Sequence, residues 1–265
     1  MLTELDVFAR LEKVRVQSPV VHHLTNWVTI YDCAQVVKAL GGSPVMAHAP
    51  EEAAEMTKIA SALVLNIGTL TTTMVEAMKL AAQSANGKGI PVVLDVCGAG
   101  ATSFRDAKVA EILSAAKIDI IKGNASEIAR VAGEDIRTRG VDSVEVGGDV
   151  AVLAKKLAKS RGACVAVTGP VDVVTDGERT LRVANGDVMM SKVVGTGCMA
   201  ASVIGTFAAV ETDAVAAAAA ALCCYGIAGE LAAVKATAPM AFKAALVDCF
   251  YGLDRETVAR RRRLT

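Results

Sequence analysis

The chain has 265 residues, of which 53% are hydrophobic, and its 28 lysines and arginines balance 28 aspartates and glutamates. This length suits one large domain with a substantial core, so we predict a single domain over residues 1–265. The zero net charge argues against nucleic acid or an anionic membrane as a partner. The seven cysteines form neither a disulfide framework nor a zinc-type pair, which favours a reducing cytoplasm.

Short runs rich in β-branched residues alternate with longer helix-like segments along the chain. Strands are predicted over 63–67, 91–95, 118–121 and 164–168, followed by a hairpin over 171–175 and 180–183. The four runs lack apolar/polar alternation, as strands do when helices cover both faces of a parallel sheet. The apolar segments 199–210 and 214–228 are predicted as buried helices too short to span a membrane. This order predicts an α/β fold with a mainly parallel sheet.

Polar residues and glycines follow several of the predicted strands. Ligands of parallel sheets bind beyond the carboxyl ends of the strands, so these residues are candidates for a site. We expect the following residues to share one edge of the sheet: Met46, Gly68, Thr69, Asp95, Asn124, Glu127, Thr168 and the segment 195–198.

The segment Gly195-Thr196-Gly197-Cys198 is the most informative local motif. Glycines let backbone N–H groups face a ligand, and a helix starting near Cys198 adds partial positive charge, so the segment suits an anion. The same surroundings favour the thiolate of Cys198, which could act as a nucleophile or base. The other cysteines are predicted to be small core residues: Cys33, Cys97, Cys164, Cys223, Cys224 and Cys249.

Other polar segments have a structural explanation beside a functional one. Asp95 together with the glycine-rich segment 97–102 suits a metal-bound phosphate, or the segment is a simple turn into a helix. Asn124 and Glu127 could hold Mg²⁺ through its waters, but the segment alone favours an N-cap and its capping partner. Asn26 suits a small polar ligand or a loop cap. The adjacent histidines 22 and 23 point to opposite faces of a strand and are poor candidates for metal binding or catalysis.

Taken together, these segments occur in the order found in hydroxyethylthiazole kinases, and the chain resembles that family over nearly its whole length. The cysteine of Gly-Thr-Gly-Cys is the most specific element, because the wider ribokinase-like superfamily carries a catalytic aspartate there. The resemblance implies a ribokinase-like three-layer α/β/α fold. It also implies Mg²⁺-dependent transfer of a phosphoryl group from ATP to 4-methyl-5-(2-hydroxyethyl)thiazole, a reaction of thiamine salvage. A homotrimer with sites between subunits is implied as well.

The resemblance also implies roles for individual residues. Cys198 is the catalytic group, beside an anion hole of Gly195, Thr196 and Gly197. The substrate positions are Asn26, Met46, Gly68, Thr69 and Gly195; the ATP positions are Lys122, Asn124 and Thr168; and the metal positions are Asp95 and Glu127.

Three departures from the family pattern bear on these roles. Relatives usually carry arginine at the position of Lys122, proline at Val96, and a Gly-Pro-Gly-Ser/Thr-Phe segment at 238–242. Lysine lacks the forked contact of arginine, so we expect weaker ATP binding. The neighbouring Trp27 and Tyr31 could alter which alcohol fits.

Phosphoryl transfer has a loose transition state in which positioning and charge neutralisation dominate, so a thiol can replace the usual carboxylate. Alternative interpretations remain open at the level of the sequence. Another ribokinase-like kinase could act on hydroxymethylpyrimidine or pyridoxal, and an ATP-dependent dehydratase of hydrated nicotinamide nucleotides shares the fold. Both normally carry aspartate where this chain has Cys198. A ligand-binding sensor without turnover is the remaining alternative.

Overall fold

The computed structural model describes residues 5–134 and 150–265. In these two ranges, eight strands form one sheet in the order β2-β1-β3-β4-β5-β6-β7-β8. Neighbouring strands from β2 to β6 are parallel, and β7 and β8 form an antiparallel hairpin at one edge. The strands are β1 (Val20–Leu24), β2 (Ser43–Val45), β3 (Ala62–Asn66), β4 (Val92–Asp95), β5 (Ile120–Asn124), β6 (Cys164–Thr168), β7 (Asp172–Thr175) and β8 (Thr180–Val183).

Helices cover both faces of this sheet. Several begin at a polar cap: the side chain of Asp213, for example, accepts hydrogen bonds from two backbone N–H groups at the start of the alanine-rich α9. The helices are α1 (Val7–Gln17), α2 (Ile30–Leu40), α3 (Pro50–Ile59), α4 (Thr72–Lys88), α5 (Ser103–Ala115), α6 (Ala125–Val131), α7 (Val150–Arg161), α8 (Thr196–Ala208), α9 (Ala214–Lys235), α10 (Pro239–Tyr251), α11 (Arg255–Arg261) and a 3₁₀ helix (Val188–Lys192).

The sheet separates two hydrophobic cores. Val64 of β3 faces the core formed with α1, α2, α8, α9 and α10, whereas Leu63 and Leu65 face the core formed with α3 to α7. Because both faces are buried, the strands are continuously apolar, as expected for a covered parallel sheet. The predicted three-layer α/β/α class with a mainly parallel sheet is therefore confirmed.

Helix α9 is longer than the predicted segment 214–228, and its 22 residues are long and apolar enough to cross a membrane by length and composition. However, 83% of its most apolar window is buried within the protein. It packs against α8 and α10, and alanines permit this close approach. The prediction of a buried helix is confirmed, whereas the predicted length was too short.

Two strands differ from the sequence-based prediction. Strand β5 was placed at 118–121, but it runs from Ile120 to Asn124 and therefore includes Lys122. Strand β1 was not among the predicted sheet strands, because histidines 22 and 23, although considered as strand residues, interrupt its apolar run. Both are buried: His22 is hydrogen-bonded at 2.9 Å to each of Thr57 Oγ1 and Ala47 O, and burial lowers the pKa of His23 to about 3. These histidines are structural residues of β1.

Candidate functional site

The predicted site residues are brought together at the carboxyl edge of the sheet. The ends of β3, β4 and β5 lie side by side there, because Asn66 is paired with Asp95 and Asp95 with Lys122. On the next strand, Asn124 is paired with Thr168. Helix α8 begins at the same edge, and the loops after β1 and β3 complete the site.

The start of α8 is shaped by glycine. Gly195 is the N-cap residue and has a φ of 97°, in the left-handed region that favours glycine. A Cβ atom at this position would lie 2.7 Å from Cγ2 of Thr29. No side chain of the described residues caps α8, so the N–H groups of its first turn are available to a ligand. This is the geometry of an anion site.

Lys122 points its ammonium group toward this helix start. The side chain is 5% exposed, and Nζ lies 3.4 Å from both carboxylate oxygens of Asp95. A Cβ atom on Gly197 would be 3.2 Å from Nζ, so the ammonium group lies directly against the first turn of α8. Burial favours the neutral amine, but the Asp95 and Glu127 carboxylates outweigh it and raise the pKa of Lys122. Lys122 is therefore a buried cation between the carboxylates and the anion site.

Asn66 connects the two sides of the site. Its Nδ2 donates to Asp95 Oδ2 at 2.7 Å, and its Oδ1 accepts from Asn26 Nδ2 at 2.9 Å and from Gly68 N at 2.9 Å. Asn26 Nδ2 also lies 3.3 Å from Cys198 Sγ. Asn66 was not among the predicted site residues, although it is the last residue of β3. Its place at a strand end, two residues before Gly68, was the signal that the sequence offered.

Cys198 and Cys97 form a pair of thiols that the sequence did not reveal. Cys97 was predicted to be a core residue, but it is partly exposed, and its thiol is the neighbouring group that most affects the pKa of Cys198. This interaction lowers the pKa of Cys198 to about 7, and the charge of Lys122 acts in the same direction. The direction of this shift agrees with the thiolate predicted at Cys198. Its main cause, however, is Cys97, whose own pKa is raised.

Asn124 and Glu127 form the complete capping box expected from their spacing. Asn124 Oδ1 accepts from Glu127 N at 3.0 Å, and Glu127 Oε2 accepts from Asn124 N at 2.7 Å. The second carboxylate oxygen of Glu127 accepts from Gly98 N at 2.7 Å and so holds the glycine-rich loop after β4. Burial raises the pKa of Glu127, while Lys122 opposes that shift. Glu127 is at once a cap and a member of the buried charge cluster.

The loop after β6 closes the neighbouring part of the edge. Thr168 Oγ1 donates to Gly123 O at 3.4 Å, and Gly169 N donates to Asp172 Oδ1 at 2.9 Å. Burial raises the pKa of Asp172 to about 7. Thr168 therefore lies beside the end of β5, next to the charge cluster.

The side of the site that carries the predicted substrate positions is less polar than the buried charge cluster. His48 Nδ1 lies 3.1 Å from Met46 O, and its ring lies 4.7 Å from that of Trp27, centroid to centroid. Trp27 N donates to Thr69 Oγ1 at 3.0 Å. These contacts bring the predicted substrate positions Met46 and Thr69 to the same side as Asn26, around the exposed ring of Trp27.

The divergent segment 238–242 forms the start of α10, where Pro239 is the first residue. Lys243 follows it, and its Nζ pairs with Asp32 Oδ2 of α2 at 3.0 Å. The same Asp32 oxygen would be 3.7 Å from a Cβ atom on Gly195. Lys243, directly after this segment, therefore links α10 to Asp32, which lies behind the start of α8.

Comparison with known proteins agrees with the geometry. Residues 11–256 match the model of the hydroxyethylthiazole kinase family. The chain is 54% identical to a hydroxyethylthiazole kinase of Methanosarcina mazei over 94% of this chain and 95% of that protein. Its identity to the enzyme of Moorella thermoacetica is 48%, over 96% and 95% of the two chains.

Solved structures give the same result. The structure of hydroxyethylthiazole kinase from Pyrococcus horikoshii OT3 has a TM-score of 0.90 and 40% identity, and the match covers 98% of each chain. Pyridoxal kinase from Staphylococcus aureus, solved with ADP, has a TM-score of 0.61 over 80% of this chain at 13% identity. The second likeness shows only a shared fold.

Proposed function

The chain belongs to the hydroxyethylthiazole kinase family, and from this premise we propose that it phosphorylates the hydroxyl group of 4-methyl-5-(2-hydroxyethyl)thiazole with ATP. The observation that carries the proposal is the start of α8, where Cys198, an uncapped helix and the Lys122 ammonium group meet. An alcohol at Cys198 would lie beside a site for the phosphoryl group that it attacks. The reaction would contribute to thiamine salvage.

In this mechanism the thiazole ring binds on the side of Met46, Gly68 and Thr69, and its hydroxyl reaches Cys198. The thiol, whose pKa is about 7, orients the hydroxyl and accepts its proton. Asn26 fixes the sulfur through its amide. A weak base is sufficient because the transition state of phosphoryl transfer is loose and little proton transfer is needed before attack.

Charge neutralisation supplies the larger part of the catalysis. The N–H groups of Gly195, Thr196, Gly197 and Cys198 form the anion hole, and Lys122 places a full positive charge against it. The resemblance implies that Lys122 binds ATP, and the position of Nζ beside Gly197 supports a role at the transferred phosphoryl group itself. Asn124 and Thr168 then remain on the ATP side of the site.

The acidic residues fit a Mg²⁺ ion held mainly by water and ATP. Asp95 and Glu127 place two buried carboxylates near a single buried ammonium group, so a further cation is electrostatically favoured. Among the described residues no group of three or more His, Cys, Asp or Glu could enclose a metal. Mg²⁺ needs few protein ligands and keeps several waters. Asp95 and Glu127 would hold it, and it would neutralise charge on the phosphates.

The direct test of this function is product analysis by phosphorus NMR. ATP, Mg²⁺ and the thiazole alcohol should give ADP and a new phosphomonoester. Pyridoxal and hydroxymethylpyrimidine serve as parallel substrates, because the related kinases use them. Turnover of pyridoxal with none of the thiazole alcohol would contradict the assignment. ADP release without any ester would support a hydrolase, and no ADP release with any alcohol would support a sensor.

Replacing Glu127 by glutamine should lower turnover more than stability. Glutamine can accept one of the two N–H bonds, from Asn124 or Gly98, but leaves the other unpaired and removes the charge. The unpaired group costs about 1–3 kcal/mol. We expect Glu127→Gln to require a higher concentration of Mg²⁺. We also expect its kcat to fall under conditions in which the variant is still folded.

The matched control is Asp254→Ala. Asp254 caps α11 by accepting from Thr257 N at 2.7 Å, and this exposed cap is remote from the carboxyl edge. Losing it should lower the stability of the protein slightly and leave kcat unchanged. Unaltered kcat and Mg²⁺ dependence in Glu127→Gln would mean that Glu127 is a cap only.

A homotrimer with active sites between subunits is proposed from the family resemblance. Large apolar side chains are exposed around the site, including Trp27, Tyr31, Val194 and Met240. Contact with a second copy would bury them. Light scattering should give three times the chain mass of 27.3 kDa, and a fully active monomer would refute the proposal. The cytoplasm is the proposed location because the active-site thiols need a reducing environment.

A further inference from the structure

Arg105 joins two loops of the candidate site through their backbone carbonyls. It is the third residue of α5, which begins directly after the glycine-rich loop. Its Nη1 donates to Ile67 O at 2.8 Å and to Cys97 O at 3.1 Å, and its Nη2 donates to Gly68 O at 2.7 Å. The first and last of these carbonyls belong to the loop after β3, the acceptor loop (residues 67–69). One guanidinium group is therefore bonded to the loops that follow two neighbouring strands, β3 and β4.

The start of α5 directs this side chain toward the two loops. Thr102 caps the helix, and its Oγ1 accepts from Arg105 N at 3.3 Å. Side chains of an α-helix tilt toward its N-terminus, so a residue in the first turn reaches back over the segment before the helix. Gly98 leaves space for the guanidinium group, because its φ is 78° and a Cβ atom there would lie 3.0 Å from Nη1. The cap, the helix direction and the glycine together place Arg105 between the loops.

The two loops carry opposite halves of the proposed reaction. The acceptor loop contains the predicted substrate positions Gly68 and Thr69, whereas the glycine-rich loop follows Asp95, a predicted metal position. In phosphoryl transfer the attacking hydroxyl must lie in line with the phosphoryl group, and a misplacement of about 1 Å can cost about 100-fold in rate. A group that is bonded to both loops is placed to set this geometry.

We propose that Arg105 is a positioning residue that holds the acceptor loop against the glycine-rich loop, so that the alcohol hydroxyl faces the phosphoryl group. The inference rests on the proposed function, which assigns the alcohol and the phosphates to these loops. A guanidinium group suits this task because its planar fork bonds several oxygens at once and its charge strengthens each bond. Lysine would keep the charge but could not reproduce the three bonds of the planar fork.

Loss of this contact should affect the alcohol side more than the phosphate side. Glu127 Oε1 accepts from Gly98 N and Asp106 Oδ1 accepts from Gly100 N, at 2.7 Å each, so two carboxylates would still hold the glycine-rich loop. The acceptor loop would lose two bonds at once, since two of the three carbonyls belong to it. We therefore expect the acceptor loop to move and the phosphate side to stay in place.

The experiment compares the wild-type protein with Arg105→Lys and with a matched control, Arg15→Lys. The Arg15 guanidinium group also donates to two backbone carbonyls, Leu253 O at 2.8 Å and Tyr251 O at 2.9 Å. Arg15 lies in the last turn of α1, before β1 begins, and so at the amino edge of the sheet, away from the site. All three proteins are assayed at a temperature at which circular dichroism shows them to be folded.

Steady-state kinetics separates positioning from loss of folded protein. Arg105→Lys should lower kcat by roughly 10- to 100-fold and raise KM for the thiazole alcohol, while KM for ATP stays within about twofold. Loss of folded protein would lower the apparent kcat and change neither KM. Arg15→Lys should match the wild type in all three constants. Wild-type constants in Arg105→Lys, a lower kcat with neither KM changed, or the same losses in Arg15→Lys would overturn the proposal.

Amide hydrogen exchange tests the contact without any turnover. Backbone amides of the acceptor loop should exchange faster in Arg105→Lys than in the wild type, and at the wild-type rate in Arg15→Lys. Equal exchange in the wild type and Arg105→Lys would show that the guanidinium group does not hold this loop, and would overturn the proposal. A wild-type protein that forms no thiazole ester would contradict the proposed function instead, and the exchange measurement would still decide whether Arg105 holds the loop.

Discussion

Replacing Lys122 with methionine is expected to lower kcat by roughly 10²- to 10³-fold, which is typical when one donor to a developing anion is removed. Methionine keeps an unbranched chain but removes the charge that lies against Gly197 and between the buried carboxylates. Asp95 would lose its ion partner within the core. Breaking a buried ion pair from one side costs about 3–5 kcal/mol, so the free energy of unfolding should fall as well.

The loss of stability should depend on pH in a defined direction. Burial raises the pKa of Asp95, so in Lys122→Met its carboxyl group holds a proton more tightly when folded than when unfolded. The variant is therefore closest to the wild type at low pH. Its deficit grows as pH rises above about 3.9, the pKa of an unfolded aspartate. Urea unfolding at several pH values measures this trend.

Two further variants show whether the effect of Lys122→Met comes from the lost charge or from a nonspecific effect of replacing a lysine. Lys122→Arg keeps the charge and adds the forked donor geometry of a guanidinium group, so it should retain turnover and lower KM for ATP. Lys117→Met removes an exposed lysine that pairs with Asp119 and should leave kcat unchanged. If Lys122→Met keeps the wild-type kcat, Lys122 has no part in the mechanism.

Cys198 variants should show that the base contributes less than charge neutralisation. Cys198→Ala is expected to lower kcat by roughly 10- to 10²-fold, at or below the low end of general base contributions, because the anion hole and Lys122 remain. Cys198→Asp should be at least as fast as the wild type, since a carboxylate is already ionised at neutral pH.

The dependence of kcat on pH shows whether these two variants change the chemistry or only damage the structure. The Cys198 thiolate forms above a pKa of about 7, so wild-type kcat should rise with pH through that value. Cys198→Asp should lack this rise, and Cys198→Ala should be flat at a lower rate. Identical profiles for all three proteins would place the thiol outside the chemistry.

Sequence patterns were sufficient for the architecture and for most of the site. Strands buried on both faces are continuously apolar, so β3, β4 and β6 could be recognised, and the residues that follow them fell on one edge as parallel topology requires. Strand β5 was misplaced because its second half contains Lys122, a residue that a buried strand tolerates only beside a carboxylate. That carboxylate, Asp95, comes from the neighbouring strand.

The remaining discrepancies arise from contacts between distant segments. In the sequence, nothing distinguishes Cys97 from the buried cysteines. Only the packing of α8 against the sheet brings it near Cys198. Asn66 gains its importance from Asn26 and Asp95, which lie on two other segments. Glu127 had two competing interpretations, and its capping contacts and its place in the charge cluster occur together, so the spacing alone could not separate them.

The central claim, that the acceptor alcohol binds at Cys198 in front of the start of α8, is tested most directly by thiol labelling. Native protein is treated with limiting iodoacetamide, and alkylation of Cys198 is measured by mass in peptide 193–211 after cleavage at Lys192 and Glu211. We predict that Cys198 is alkylated, that turnover falls in parallel, and that saturating thiazole alcohol slows both. Alkylation of Cys198 at the same rate with and without the alcohol, in protein that still turns over, would contradict the claim.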